Sequence, residues 1–166
     1  MNAPIRAIAK SRSASDASDA VVVSFASKWN AQIGGDKFSV VLRKRVPVTI
    51  RPKWLYFHVN APIGAIRARA HVEGVERIGL VRAIALSSQT ALDEHAIRNY
   101  LVGTETVGAY FISKIEIAAH VARTKEINTV MVYYPPQSFF VLSVEGKKLL
   151  NKMCGFAQTD SENVGD

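Results

Sequence analysis

Hydrophobic and polar positions alternate most clearly over residues 66–73. Ile66, Ala68, Ala70 and Val72 fall on one side of an extended chain, and Arg67, Arg69, His71 and Glu73 on the other. The pattern predicts a strand with one buried face, and it sets Arg67 and Arg69 side by side on the exposed one. A second long strand is predicted over residues 109–121, where Phe111, Ile115, Ile117 and Val121 oppose Lys114, Glu116 and His120. Shorter β-branched or aromatic runs predict strands at residues 21–25, 38–42, 54–59 and 139–142. Helical spacing is confined to three places. Residues 27–33 read as a short helix with Ser27 as cap and Gly34-Gly35 as stop. Leu92, Ala96, Ile97, Tyr100 and Leu101 form the stripe of a helix capped by Thr90, with Asp93 and Glu94 in its first turn and Gly103 after its end. Residues 144–153 read as a short basic helix. The links between strands are mostly too short for crossover helices, so the expected architecture is an α+β or barrel-like domain with an antiparallel or mixed curved sheet.

The chain has 166 residues, the length of one domain. Residues 1–20, rich in Ser, Ala and Asp, are expected to form a flexible arm; residues 21–156 form the domain, and residues 157–166 a flexible tail. No apolar run approaches the roughly 18 residues of a membrane span, so no membrane association is expected. No apolar signal core stands near the start, and the single cysteine, Cys154, has no partner for an internal disulfide. A reducing, cytoplasmic setting is the expectation. The four histidines are scattered without ligand spacing, and neither a metal nor a cofactor is expected.

Charge sharpens this picture. The net charge is +7, and the last ten residues hold three acids and no base, so the remainder is more basic than the whole. Residues 37–53 hold Lys37, Arg43, Lys44, Arg45, Arg51 and Lys53 and no acid. Such a stretch attracts polyanions by releasing their counterions. A solvated basic face, or one that meets an acidic protein, is the alternative.

Strand alternation would send Arg43 and Arg45 to one face and Lys44 to the other. Two guanidiniums on one side suit bidentate phosphate contacts, unless they serve as a soluble strand end or pair with an acid such as Glu116. Gln137 and Ser138 follow Pro135-Pro136, whose fixed backbone would hold an amide and a hydroxyl ready to read a base edge or to satisfy backbone groups. Trp29, on the first helix, is the candidate for base stacking, whereas Trp54 and Phe57 read as core. For catalysis the candidates are Lys37 after its glycine turn, Ser39 as the nearest hydroxyl, and Glu94 as the nearest acid. Each has a plainer reading: a turn lysine, a solvent-facing serine and a helix N-terminal charge.

Three segments in order carry a resemblance. The first is Val23-Ser24-Phe25, the short helix, Gly35-Asp36-Lys37 and the strand ending in Arg43-Lys44-Arg45. The second is Asn99-Tyr100-Leu101 with Gly103, then Gly108-Ala109-Tyr110. The third is Pro135-Pro136-Gln137-Ser138-Phe139. Together they resemble the ASCH family, a branch of the PUA-like fold. The resemblance implies a small curved β-barrel closed at one end by helices, with a cleft beside the Lys-to-Arg hairpin. It implies RNA or nucleotide binding, with DNA as another polyanion ligand; a few similar proteins hydrolyse acylated nucleosides or cleave RNA. This chain departs from the family pattern twice. Its Gly-Asp-Lys turn arrives one residue early relative to Arg43, which leaves the direction of Lys37 open. Val41 stands where the pattern has an acid. Binding is therefore the leading expectation, and hydrolysis the alternative.

Overall fold

β-Branched and aromatic runs become strands where a pleated surface can bury them, and this chain has burial to offer on both faces of its sheet. The computed structural model describes residues 17–158. Its strands are β1 (Ala17–Phe25), β2 (Val40–Arg43), β3 (Trp54–Val59), β4 (Ala65–Gly79), β5 (Thr106–Arg123) and β6 (Phe140–Ser143). They make one six-stranded sheet in the order β2-β5-β4-β3-β1-β6. β1 and β3 are parallel and every other neighbouring pair is antiparallel. The sheet is mixed and not closed, because the edge strands β2 and β6 do not pair.

The sheet is strongly curved. Val21, Val23 and Phe25 of β1, Val41 of β2, Leu55, Phe57 and Val59 of β3, and Tyr110 and Ile112 of β5 all meet in one inner core. Phe25, Phe38 and Phe57 pack edge to face at its centre. Side chains of the opposite parity point outward and are covered by helices. The helices α1 (Leu80–Ala85) and α2 (Glu94–Tyr100) cover Val40, Leu42, Val107 and Ala109. After α3 (Thr124–Ile127), the helix α4 (Val144–Cys154) covers Val22, Tyr56, Phe140 and Leu142. Each large side chain so buried contributes about 1.5–3 kcal/mol. Among the described residues no helix is long and apolar enough to cross a membrane.

Several sequence expectations need correction. β1 begins at Ala17, so residues 17–20 belong to the sheet and not to an arm. The Ser18 hydroxyl donates to the Leu142 carbonyl (2.8 Å), and Lys147 Nζ pairs with Asp19 (2.7 Å). The rest of the predicted arm and all but two residues of the predicted tail lie outside the described residues. The cap of α2 is Asp93, whose carboxylate accepts from the Ala96 N–H (2.7 Å), while Thr90 bonds within the preceding loop. The same helix packs on the outer face of β2 and β5 instead of over an opening.

The alternation of residues 66–73 is broken by a bulge. The register slips between Ile66 and Ala68 against β5, and the step from Ile66 to Ala68 faces consecutive residues of β3. Arg67 is the extra residue, so Ile66 joins the outer face while Ala68, Ala70 and Val72 stay inside. Arg69 then points outward beneath α4 and Phe156. It is 1% exposed, not solvent-facing.

β2 leaves the sheet opposite Gly108, where the returning chain crosses closely. A Cβ on Gly108 would stand 2.3 Å from Val46 Cγ1 and 3.0 Å from the Arg43 carbonyl. Gly108→Ala is therefore expected to destabilise the fold by about 1–3 kcal/mol, read as a lower thermal midpoint. An unchanged midpoint would mean that this crossing is loose.

Candidate functional site

The ends of β1 and β2, which are not neighbours in the sheet, line one cleft of about 230 Å³. Ser24 and Phe25 end β1 on one side, and Val41 and Arg43 of β2 form the other. Trp29, from a 3-10 helix over Ser27–Gln32, stands at the rim, and the loop 90–92, Tyr100 and Gln137 complete the wall. Through Arg43, Tyr100 and Gln137 the cleft continues into an outer basin of about 350 Å³ that Lys44, Arg45 and Ser138 also line.

Arg43 joins the two spaces. Its guanidinium donates to the carbonyls of Leu42 (2.7 Å) and Ser24, and lies 4.5 Å from the centre of the Phe25 ring. Among the described residues no carboxylate pairs with it. Burial lowers its pKa from the ordinary value, and Tyr100 and Tyr110 oppose part of that shift. Arg43 is half-buried, and a partly desolvated cation without an anion is stabilised by any anion that enters beside it. Two buried hydroxyls close by, Ser24 Oγ and Tyr110 OH, have no hydrogen-bond partner among the described residues. Tyr100 is held by its neighbours: its hydroxyl accepts from the Lys44 N–H (3.0 Å), and Lys44 Nζ sits 5.1 Å from its ring centre.

The structure brings together Trp29, Arg43, Lys44, Arg45, Gln137 and Ser138 of the predicted site residues. Lys44 does not point away from the two arginines. β2 ends at Arg43, and beyond it strand alternation no longer governs the chain. The other candidates lie elsewhere. Lys37 is exposed and does not line the cleft. Ser39 donates to the Gln89 side-chain carbonyl (3.0 Å), and Glu94 pairs with Arg98 (3.0 Å) on the exposed side of α2. Arg67 is half-buried at the bulge. Arg69 is ion-paired with Glu116, the candidate acid partner for Arg43 and Arg45. Cys154 is buried and its thiol is pushed up to about 12, which leaves it unreactive at neutral pH.

Two wall residues, Ser24 and Tyr100, are not among the predicted site residues. Both stand inside the segments that carry the family resemblance, and that is the signal by which the sequence could have shown them. Tyr100 fits the apolar stripe of α2, yet the helix end turns its ring toward Lys44.

No family model matches this chain, and no curated protein matches it. Solved structures do. The ASCH protein of Zymomonas mobilis superposes with a TM-score of 0.75 at 18% identity, covering 84% of this chain and 99% of that one. A mutant of the same protein gives 0.75 at 19% identity, covering 82% and 99%. The N-terminal domain of McrB from Staphylothermus marinus gives 0.52 at 8% identity, covering 82% and 94%. Likeness at these identities establishes architecture: the chain has the ASCH-domain fold, an α+β arrangement of the PUA-like type.

Proposed function

We propose that this domain binds RNA by seating one nucleotide in the cleft beside Arg43. The observation that carries the reading is the convergence of Arg43, Lys44 and Arg45 with the Gln137 amide and the rings of Trp29 and Tyr100 on one continuous space. A nucleotide presents an anion, a flat π-face and a hydrogen-bonding edge. The cations match the first, the rings the second and the amide the third. DNA offers the same phosphate and base, so RNA and DNA oligomers of one sequence should be compared directly.

The hydrolase alternative has less support. None of its candidates, Lys37, Ser39 and Glu94, lines the cleft, and two of them are bonded to other side chains. A protein-interaction role for the basic face would need no aromatic rim.

The reading is tested by titrating a labelled single-stranded RNA at several salt concentrations. Binding is expected to weaken linearly in log–log form, with a slope near −0.7 per phosphate contact. Trp29→Ala should weaken binding by roughly tenfold, the value of one stacked base. Removing Lys148 and Lys152 from the exposed side of α4 should change little. If Trp29→Ala binds like the parent while the α4 variant does not, the cleft is not the binding site.

A further inference from the structure

A second basic groove adjoins the cleft. The chain between β2 and β3, residues 44–53, forms a strap over the sheet, and between the strap and residues 72–77 of β4 lies a groove of about 650 Å³. The strap is anchored at both ends. Arg77 donates to the Lys44 carbonyl (3.3 Å) and to Thr106 Oγ1 (3.1 Å) at the end next to the cleft. Val46 sits on Gly108. At the far end Lys53 donates its N–H to the Asp19 carbonyl (2.7 Å) and accepts from the Val72 N–H (2.8 Å). A strap held this way has its backbone in place before any ligand arrives, which limits the ordering cost of binding.

The chemistry of the groove suits a polyanion with flat apolar parts. Arg51 and Lys53 line it, are exposed, and have no ion-pair partner among the described residues. Its two acids are engaged: Glu73 accepts from the Ser113 hydroxyl and lies 3.3 Å from His71 Nδ1, and Glu76 pairs with Arg82 (2.8 Å). Between the cations run Pro47, Val48 and Ile50, and Val48 is 90% exposed. Cations beside an apolar wall are what single-strand binders use for phosphates and base faces. The groove meets the proposed site along the chain: Lys44 and Arg45 of the outer basin are the first residues of the strap, and Arg77 of the groove donates to the Lys44 carbonyl.

We infer that cleft and groove form one track for a single-stranded RNA: one nucleotide sits at Arg43, and the strand continues past Lys44 and Arg45 to Arg51 and Lys53. This rests on the cleft reading above and names its ligand class as an oligonucleotide instead of a free nucleotide. The six residue steps from Arg45 to Arg51 keep those two cations within roughly 20 Å of each other, a separation that a short oligonucleotide can bridge.

The test uses two probes, uridine 5′-monophosphate by calorimetry and a labelled oligouridine of about twelve nucleotides, a length within the site sizes of single-strand binders. Arg51→Ala with Lys53→Ala should weaken the oligomer by about tenfold. It should also flatten the salt slope by about 1.4, the share of two contacts, and leave the mononucleotide unchanged. Arg51→Gln with Lys53→Gln serves if the alanine pair unfolds. Oligomer binding at the parental level in the strap variant, with both probes still lost in Arg43→Ala, overturns the track and keeps the cleft. Both probes retained in Arg43→Ala overturns the cleft reading and the track with it. An equal loss in Lys148→Ala with Lys152→Ala shows that only net charge matters and overturns the track. Displacement of the oligomer by polyglutamate as readily as by unlabelled oligouridine assigns the strap to an acidic protein instead.

Discussion

Arg43→Ala is expected to lose about 1.5–3 kcal/mol of RNA affinity, about ten- to hundredfold in Kd. The guanidinium lies where the cleft meets its outer basin, and no carboxylate among the described residues neutralises it. A phosphate entering there would gain a charged hydrogen bond in a desolvated place, which is where such bonds count most. The same substitution acts on stability in two opposing ways. It removes a side-chain donor from the carbonyls of Ser24 and Leu42, at a cost of about 1–3 kcal/mol, and it relieves the partial burial of an unpaired charge. The net loss of stability should therefore sit at the low end of that range. Arg43→Lys separates the effects, since an ammonium keeps the charge but lacks the fork that spans two carbonyls. Titration and thermal melts on both variants give the answer, and an Arg43→Ala protein that binds RNA like the parent would rule out the cleft.

Arg69→Ala is expected to have the largest effect on stability, about 3–5 kcal/mol. Arg69 is the largest fully buried side chain of the domain. Its guanidinium lies between the rings of Trp54 (4.4 Å) and Phe156 (4.6 Å), donates to Asn151 (3.2 Å) and pairs with Glu116. Asn151 in turn accepts from the Tyr56 hydroxyl, so one side chain ties β4, β3 and α4 together. Truncation would open a cavity and strip the buried amide oxygen of one donor. For a domain of this size the loss corresponds to a fall in melting temperature of roughly 10 °C or more. Arg69→Met, which refills the volume, should recover much of it, and because Glu116 is half-exposed its carboxylate can hydrate once released. RNA binding by the folded Arg69→Met protein should match the parent. A variant that melts normally but no longer binds would return Arg69 to the interface.

How far the sequence could be read depended on the range of the interactions involved. Strand positions were legible because β-branched and aromatic runs are local, and so is the basic helical run that became α4; the structure adds its cap, Ser143, and its left-handed stop, Gly155. Of the residues that line the cleft, Arg43 was legible because it closes a strand, Gln137 because it follows two prolines, and Trp29 because it is a large aromatic on a short helix. α1 was not anticipated, since β4 runs on through Gly74 to Gly79 before Leu80 turns helical, and only pairing with β5 carries it that far.

What the sequence by itself determined, then, was the local part: which segments are extended, which are helical, where the positive charge is concentrated and which residues end the strands. The fates of Arg67 and Arg69 were settled by tertiary structure alone. Two-residue alternation assumes an unbroken pleat, and whether a residue is bulged out depends on strands that arrive from residues 54–59 and 106–123. Whether the outer face of β4 is wet or dry depends on α4, which arrives from residues 144–154 to settle over it. The cleft has the same origin. Ser24, Tyr100 and Gln137 lie far apart along the chain, and only the curvature that gathers six strands around one core brings them to a single wall.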